Sequence, residues 1–112
     1  MDNTLRQLDS KLSERKGADP LESYVAQLYE QGLNKILEKV GEEATEVILA
    51  AKDAHEGGSS DALAGEVADL WFHSMVMLQY LDLDHTVVLK KLQDRFTLSG
   101  LEEKAQRHSS SS

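Results

Sequence analysis

Residues 34–55, NKILEKVGEEATEVILAAKDAH, decide the fold. Ile36, Leu37, Val40, Ala44, Val47, Ile48 and Ala51 recur at three- and four-residue intervals, the signature of one helix face. At about 100° per residue they cover an arc of roughly 120°. The spacing predicts a long helix, with Gly32 before it and Gly57-Gly58-Ser59-Ser60 after it. Beyond that break, DALAGEVADLWFHSMVMLQYL, residues 61–81, predicts a second long helix after a Ser-Ser-Asp start.

Working outward, Leu5, Leu8 and Leu12 form a stripe on a helix over about Thr4–Lys16. A short helix covers Ser23–Gln31. A fifth starts near Asp84, an N-cap candidate, and carries Val88, Leu92 and Phe96. Glu102–Arg107 adds a polar turn. Seventeen leucines against nine valines plus isoleucines favour helix over sheet. No stretch alternates with period two over a useful length. The expected fold is all-α, a bundle of about five helices, in one domain over residues 1–108. The serines at 109–112 read as a disordered tail.

The 112 residues carry 20 acidic and 12 basic side chains, a net charge of −8. That balance argues against a nucleic-acid groove and against an anionic membrane surface. There is no cysteine, which excludes disulfides, thiolate catalysis and cysteine-held metals. No apolar run approaches the roughly 20 residues of a membrane span. The N-terminal stretch lacks the apolar core of a secretory signal. These features predict a soluble, cytoplasmic protein.

Several acidic residues do not fit a simple surface. Glu43 and Glu46, three apart, share a helix face at the edge of the apolar arc, with Lys39 on the same flank and Glu42 turned further to solvent. Taken alone, this pair reads as a solvated acidic face. The next helix changes the balance. Leu63, Val67, Leu70, Trp71, Met75, Val76, Met77, Leu78 and Leu81 point in most directions around its axis, which predicts burial. Yet it contains Glu66 and Asp69, again three apart, and His73 continues their stripe. Buried carboxylates are costly unless paired or metal-bound. Lysines or arginines from another helix would satisfy them; so would a divalent cation shared by both pairs. Four carboxylates suit Mg²⁺ or Mn²⁺. No Glu-x-x-His pair occurs, which sets di-iron chemistry behind. His73 reads as a hydrogen-bonded core histidine rather than a ligand. No glycine-rich phosphate loop occurs, since Gly57-Gly58 is followed by Ser-Ser-Asp.

Glu43-x-x-Glu46 followed by Glu66-x-x-Asp69 resembles the metal signature of the all-α, MazG-like nucleoside triphosphate pyrophosphohydrolases. The surrounding text resembles one branch, the phosphoribosyl-ATP pyrophosphatases of histidine biosynthesis. The shared features are Ser23-Tyr24-Val25-Ala26, the glycine before the long helix, Lys39-Val40-Gly41-Glu42-Glu43-Ala44, the aromatic-His step within residues 66–81, and Arg95, Ser99-Gly100 and Glu103-Lys104. The likeness covers roughly Leu5 to Arg107. The cyclohydrolase often fused to members of this branch has no counterpart motifs here.

The resemblance implies hydrolysis of phosphoribosyl-ATP to phosphoribosyl-AMP and pyrophosphate, with Glu43, Glu46, Glu66 and Asp69 as ligands of Mg²⁺, Mn²⁺ being an alternative. A bound cation would invert the local field of this acidic protein and bridge phosphate oxygens. Glu42, Glu43 or Glu46 would orient or deprotonate the attacking water. Lys39 is the candidate phosphate contact, with Arg95 and Lys104 as weaker ones. Two other readings carry different expectations: a housekeeping pyrophosphohydrolase with another base pocket, or a non-enzymatic helical dimerisation module. Apolar surface on the two long helices exceeds what the other segments can cover, so a homodimer is expected to complete the bundle.

Overall fold

The computed structural model describes residues 2–96. Five α-helices follow one another: α1 (Thr4–Glu14), α2 (Tyr24–Gln31), α3 (Leu33–His55), α4 (Ser60–Tyr80) and α5 (His85–Phe96), with a 3₁₀ turn at Arg15–Gly17 after α1. No strand occurs among the described residues. The expected all-α architecture and all five helices are present. The boundaries fall within three residues of those expected, because the capping residues were readable. The 109–112 tail and the Glu102–Arg107 turn lie outside the described residues.

The caps explain where each element starts and stops. Ser23 Oγ accepts the Ala26 N–H at 3.1 Å and opens α2. Gly32, at φ 94°, both ends α2 and precedes α3, so the two helices are joined through one residue. At the end of α3 the Gly57 N–H bonds Ala54 O and the Gly58 N–H bonds Asp53 O. With Gly57 at φ 98°, this is a Schellman closure. Gly58 cannot carry a side chain there, since a Cβ would stand 2.8 Å from the Asp53 carbonyl oxygen. Ser59 then caps α4 by accepting the Ala62 N–H at 3.0 Å. The short link sends α4 back along α3 as an antiparallel hairpin, the most extensive helix–helix contact among the described residues. The end of α4 closes the same way, with Leu83 N–H on Leu78 O and Asp82 in the left-handed region at φ 60°.

The core sits at the open end of this hairpin. Leu12 of α1, Leu28 of α2, Ile36 of α3, and Met75 and Val76 of α4 are its buried members. Asp9 lies on the stripe with Leu5 and Leu12 and is buried too. Its carboxylate accepts the Gln79 side-chain amide at 3.3 Å and the His85 backbone N–H at 2.9 Å, and it also contacts the His85 ring. One carboxylate on α1 thereby ties down the end of α4 and the start of α5. Tyr29 donates its hydroxyl to the Leu12 carbonyl at 2.9 Å. Burial, and then the charge of Asp9, push its phenol up to about 12.

One expectation is corrected. The predominantly apolar α4 was expected to be buried, yet only His73, Met75, Val76 and Gln79 are. Trp71 is 57% exposed. The reason is geometric: α1 and α2 cover only the half of the hairpin near its open end. From residue 37 to residue 72 no side chain is buried.

Candidate active site

The carboxylates come together where the core ends. Ligand oxygens of Glu43, Glu66 and Asp69 lie within 4.8 Å of one another, Glu43 from α3 and the other two from α4. Glu43 has only 13% of its side chain exposed. Partial burial, then repulsion from Glu46, Asp69 and Glu43, holds the Glu66 carboxyl above the usual carboxylate range. Glu46 is therefore close enough to act on Glu66, although it stands outside the three-carboxylate group. It is exposed and makes no hydrogen bond or ion pair among the described residues.

The positive side of the site is thin. Lys39 places its ammonium 3.2 Å from Glu42 and 4.0 Å from Glu43. The hydrogen bond to Glu42 is the chief reason its ammonium is held above the usual lysine range, with Glu43 adding to it. One lysine among Glu42, Glu43, Glu46, Glu66 and Asp69 leaves the cluster strongly negative. Three hard oxygen donors on two rigid helices, repelling one another, make a donor set that fits a divalent cation. The remaining basic candidates are elsewhere or outside the described part. Arg95 is exposed in the last turn of α5, a helix without buried residues, and Lys104 lies outside the described residues.

His73 is buried beneath the carboxylates. Its Nδ1 lies 3.0 Å from the Asp69 carbonyl oxygen and 3.8 Å from Glu43 Oε1. Its Nε2 lies 2.9 Å from the Tyr24 hydroxyl. The core-histidine reading of the sequence matches this placement. Tyr24 went unread as a site neighbour, because nothing in its local spacing ties α2 to α4.

A second group with ligand-type side chains, Asp9, Asp84 and His85, stands at the start of α5. Its carboxylates are engaged structurally. Asp9 holds His85 as described, and Asp84 accepts the hydroxyl and N–H of Thr86, which hold its carboxyl below the usual range. The signal for Asp9 was available in the sequence: it occupies a core position on the leucine stripe of α1.

Fold and site together define an all-α protein whose central hairpin presents a crowded carboxylate cluster, one lysine beside it, with the chemistry to hold a cation and anionic phosphates. The chain belongs to the phosphoribosyl-ATP pyrophosphohydrolase family, which matches residues 5–96. It is 53% identical over 106 residues to proteins named phosphoribosyl-ATP pyrophosphatase from Burkholderia cenocepacia (strain HI2424), Burkholderia vietnamiensis (strain G4 / LMG 22486) and Burkholderia multivorans (strain ATCC 17616 / 249). Each alignment covers 95% of this chain and 88% of the relative.

Proposed function

We propose that this protein hydrolyses phosphoribosyl-ATP to phosphoribosyl-AMP and pyrophosphate, in the cytoplasm, as a step of histidine biosynthesis. The observation that carries the reading is the convergence of Glu43, Glu66 and Asp69 from two helices, in a chain of this family. Those three, with Glu46 beside them, would hold Mg²⁺, or Mn²⁺ in its place. When bound, the ion supplies countercharge and Lewis acidity to the triphosphate oxygens. The chain's own groups do the rest. Lys39, the cation beside the cluster, meets a phosphate oxygen. Glu42 is engaged by Lys39, and Glu43 belongs to the carboxylate group. Glu46, the carboxylate of the set that stands outside the close group of three, orients the attacking water and takes its proton. Water adds to phosphorus, the anhydride bond between the α and β phosphates breaks, and pyrophosphate leaves.

Arg95 and Lys104 serve as further phosphate contacts, reaching the site from a second copy of the chain. A homodimer is supported by the apolar side chains left exposed on the far half of the hairpin and on α5. Ile48 is 63% exposed and Leu49 59%. Pairing would cover them and complete the bundle.

Pyrophosphate release from phosphoribosyl-ATP, measured with Mg²⁺ and with chelator, tests the activity. Ordinary nucleoside triphosphates serve as the comparison panel. Mg²⁺-dependent release from phosphoribosyl-ATP, well above the panel, is expected. Equal turnover of the panel would make this a general pyrophosphohydrolase instead. No turnover and no saturable Mg²⁺ binding would leave a helical dimerisation module.

A further inference from the structure

His73 joins three helices, and each contact constrains the next. A carbonyl oxygen only accepts, so the contact with Asp69 O requires the hydrogen on His73 Nδ1. The neutral ring then has a lone pair at Nε2, which accepts the Tyr24 hydroxyl at 2.9 Å. Both nitrogens are thus satisfied in one tautomer, with the side chain 9% exposed. Edge contacts from Phe72 and Tyr24, with centroids 5.2 and 5.9 Å away, hold its plane. The hydrogen on Nδ1 lies on the side of the ring that faces Glu43 Oε1, 3.8 Å away. That oxygen also has the Lys39 ammonium at 4.0 Å.

We infer that Tyr24 and His73 are positioning residues that hold Glu43 of α3 and the Asp69 turn of α4 in register for a divalent cation. The Asp69 carbonyl fixes the tautomer, and Tyr24 holds the ring in place by donating to the Nε2 lone pair that this tautomer leaves. The tautomer keeps the positive N–H end of the ring toward the Asp69 carbonyl and the Glu43 carboxylate. Without the Tyr24 hydroxyl the Nε2 lone pair loses its partner, and the ring can turn its N–H away from that carbonyl and carboxylate. Glu43 would then swing away from Glu66 and Asp69, because their mutual repulsion favours separation. Partners one step behind metal-binding side chains commonly change metal affinity by about 10- to 100-fold. This inference rests on the metal reading of the carboxylate group.

The test uses Mn²⁺ alone as the probe, titrated into the whole chain and followed by the electron paramagnetic resonance of free Mn²⁺. Tyr24→Phe removes one hydroxyl and keeps the ring. Tyr29→Phe removes a comparable hydroxyl, on the same helix, from a bond to the Leu12 carbonyl remote from the carboxylates. The expected result is saturable Mn²⁺ binding by the unaltered protein, about tenfold weaker binding by Tyr24→Phe, and unchanged binding by Tyr29→Phe. Binding by Tyr24→Phe within twofold of the unaltered protein would overturn the inference and leave the metal reading intact. Equal weakening by both variants would also overturn it, since general loosening would then suffice. Absence of saturable binding by the unaltered protein would instead overturn the metal reading itself.

Discussion

The two ends of the α3–α4 hairpin are built from similar residues and meet different fates. At the open end Ile36, Met75 and Val76 are buried under α1 and α2. At the turn end Ile48 and Leu49 are equally apolar and stay exposed. The difference lies in the covering helices, since α1 and α2 reach only one end. Glu43, Glu66 and Asp69 sit at the boundary. There α3 and α4 bring the carboxylates close together, and the packing leaves Asp69 exposed to solvent. Placed deeper, the same charges would cost too much.

The largest expected effect tests the boundary. Glu46→Gln should lower kcat by about 10²- to 10⁴-fold, the usual worth of a general base. The fold should survive, since Glu46 is exposed and holds no other residue. Steady-state pyrophosphate release at saturating Mg²⁺, with circular dichroism as the folding check, measures both. Turnover within tenfold of the unaltered protein would remove Glu46 from the proton transfer.

Next comes the contrast between the ends. Ile36→Ala should cost about 2–5 kcal/mol, as for a fully buried large-to-small change. Ile48→Ala should cost within about 0.5 kcal/mol in dilute protein, where its side chain faces water. Urea unfolding of both variants gives the comparison. A cost at Ile48 that grows with protein concentration would place that residue in an interface between copies. Sedimentation then sharpens the point. Ile48→Glu should shift a dimer toward the 12.4 kDa single chain. A fully active, unaltered protein sedimenting at 12.4 kDa at micromolar concentration would break the pairing proposal.

Much of this was legible in the sequence, for local reasons. Apolar residues at three- and four-residue intervals defined α3, and Ser23, Ser59 and the paired glycines carried the caps within a few residues of the helices they start or stop. Glu43 and Asp69 were legible as candidates because i, i+3 spacing is itself local. Which α4 side chains are covered was not, because coverage depends on how far α1 and α2 reach. The Tyr24–His73 bond spans 49 residues and leaves no periodic trace. Asp9 lay in plain view on a leucine stripe, but its two partners, Gln79 and His85, come from chain 70 or more residues away.

The smallest expected effect concerns Glu66 alone. Its carboxyl is held above the usual carboxylate range in the folded chain, by partial burial and by Glu46, Asp69 and Glu43. The folded state therefore binds this proton more tightly than the unfolded state does. As pH rises through the raised value, the folded chain carries an extra, mutually repelled charge and loses stability. Below the ordinary glutamate value of about 4.3 the proton is bound in both states and the penalty vanishes. Glu66→Gln removes the charge at every pH. In chelator at pH 7 the variant should melt at a higher temperature than the unaltered protein, and the gap should close as the pH falls toward 4. Saturating Mg²⁺ at pH 7 should narrow or reverse the gap, because only the intact carboxylate set gains from the ion. Differential scanning calorimetry in the two buffers reads both trends. An unaltered protein that melts above Glu66→Gln in chelator at pH 7 would mean that Glu66 is held by a favourable partner, and the boundary between the two ends would no longer be a place of stored repulsion.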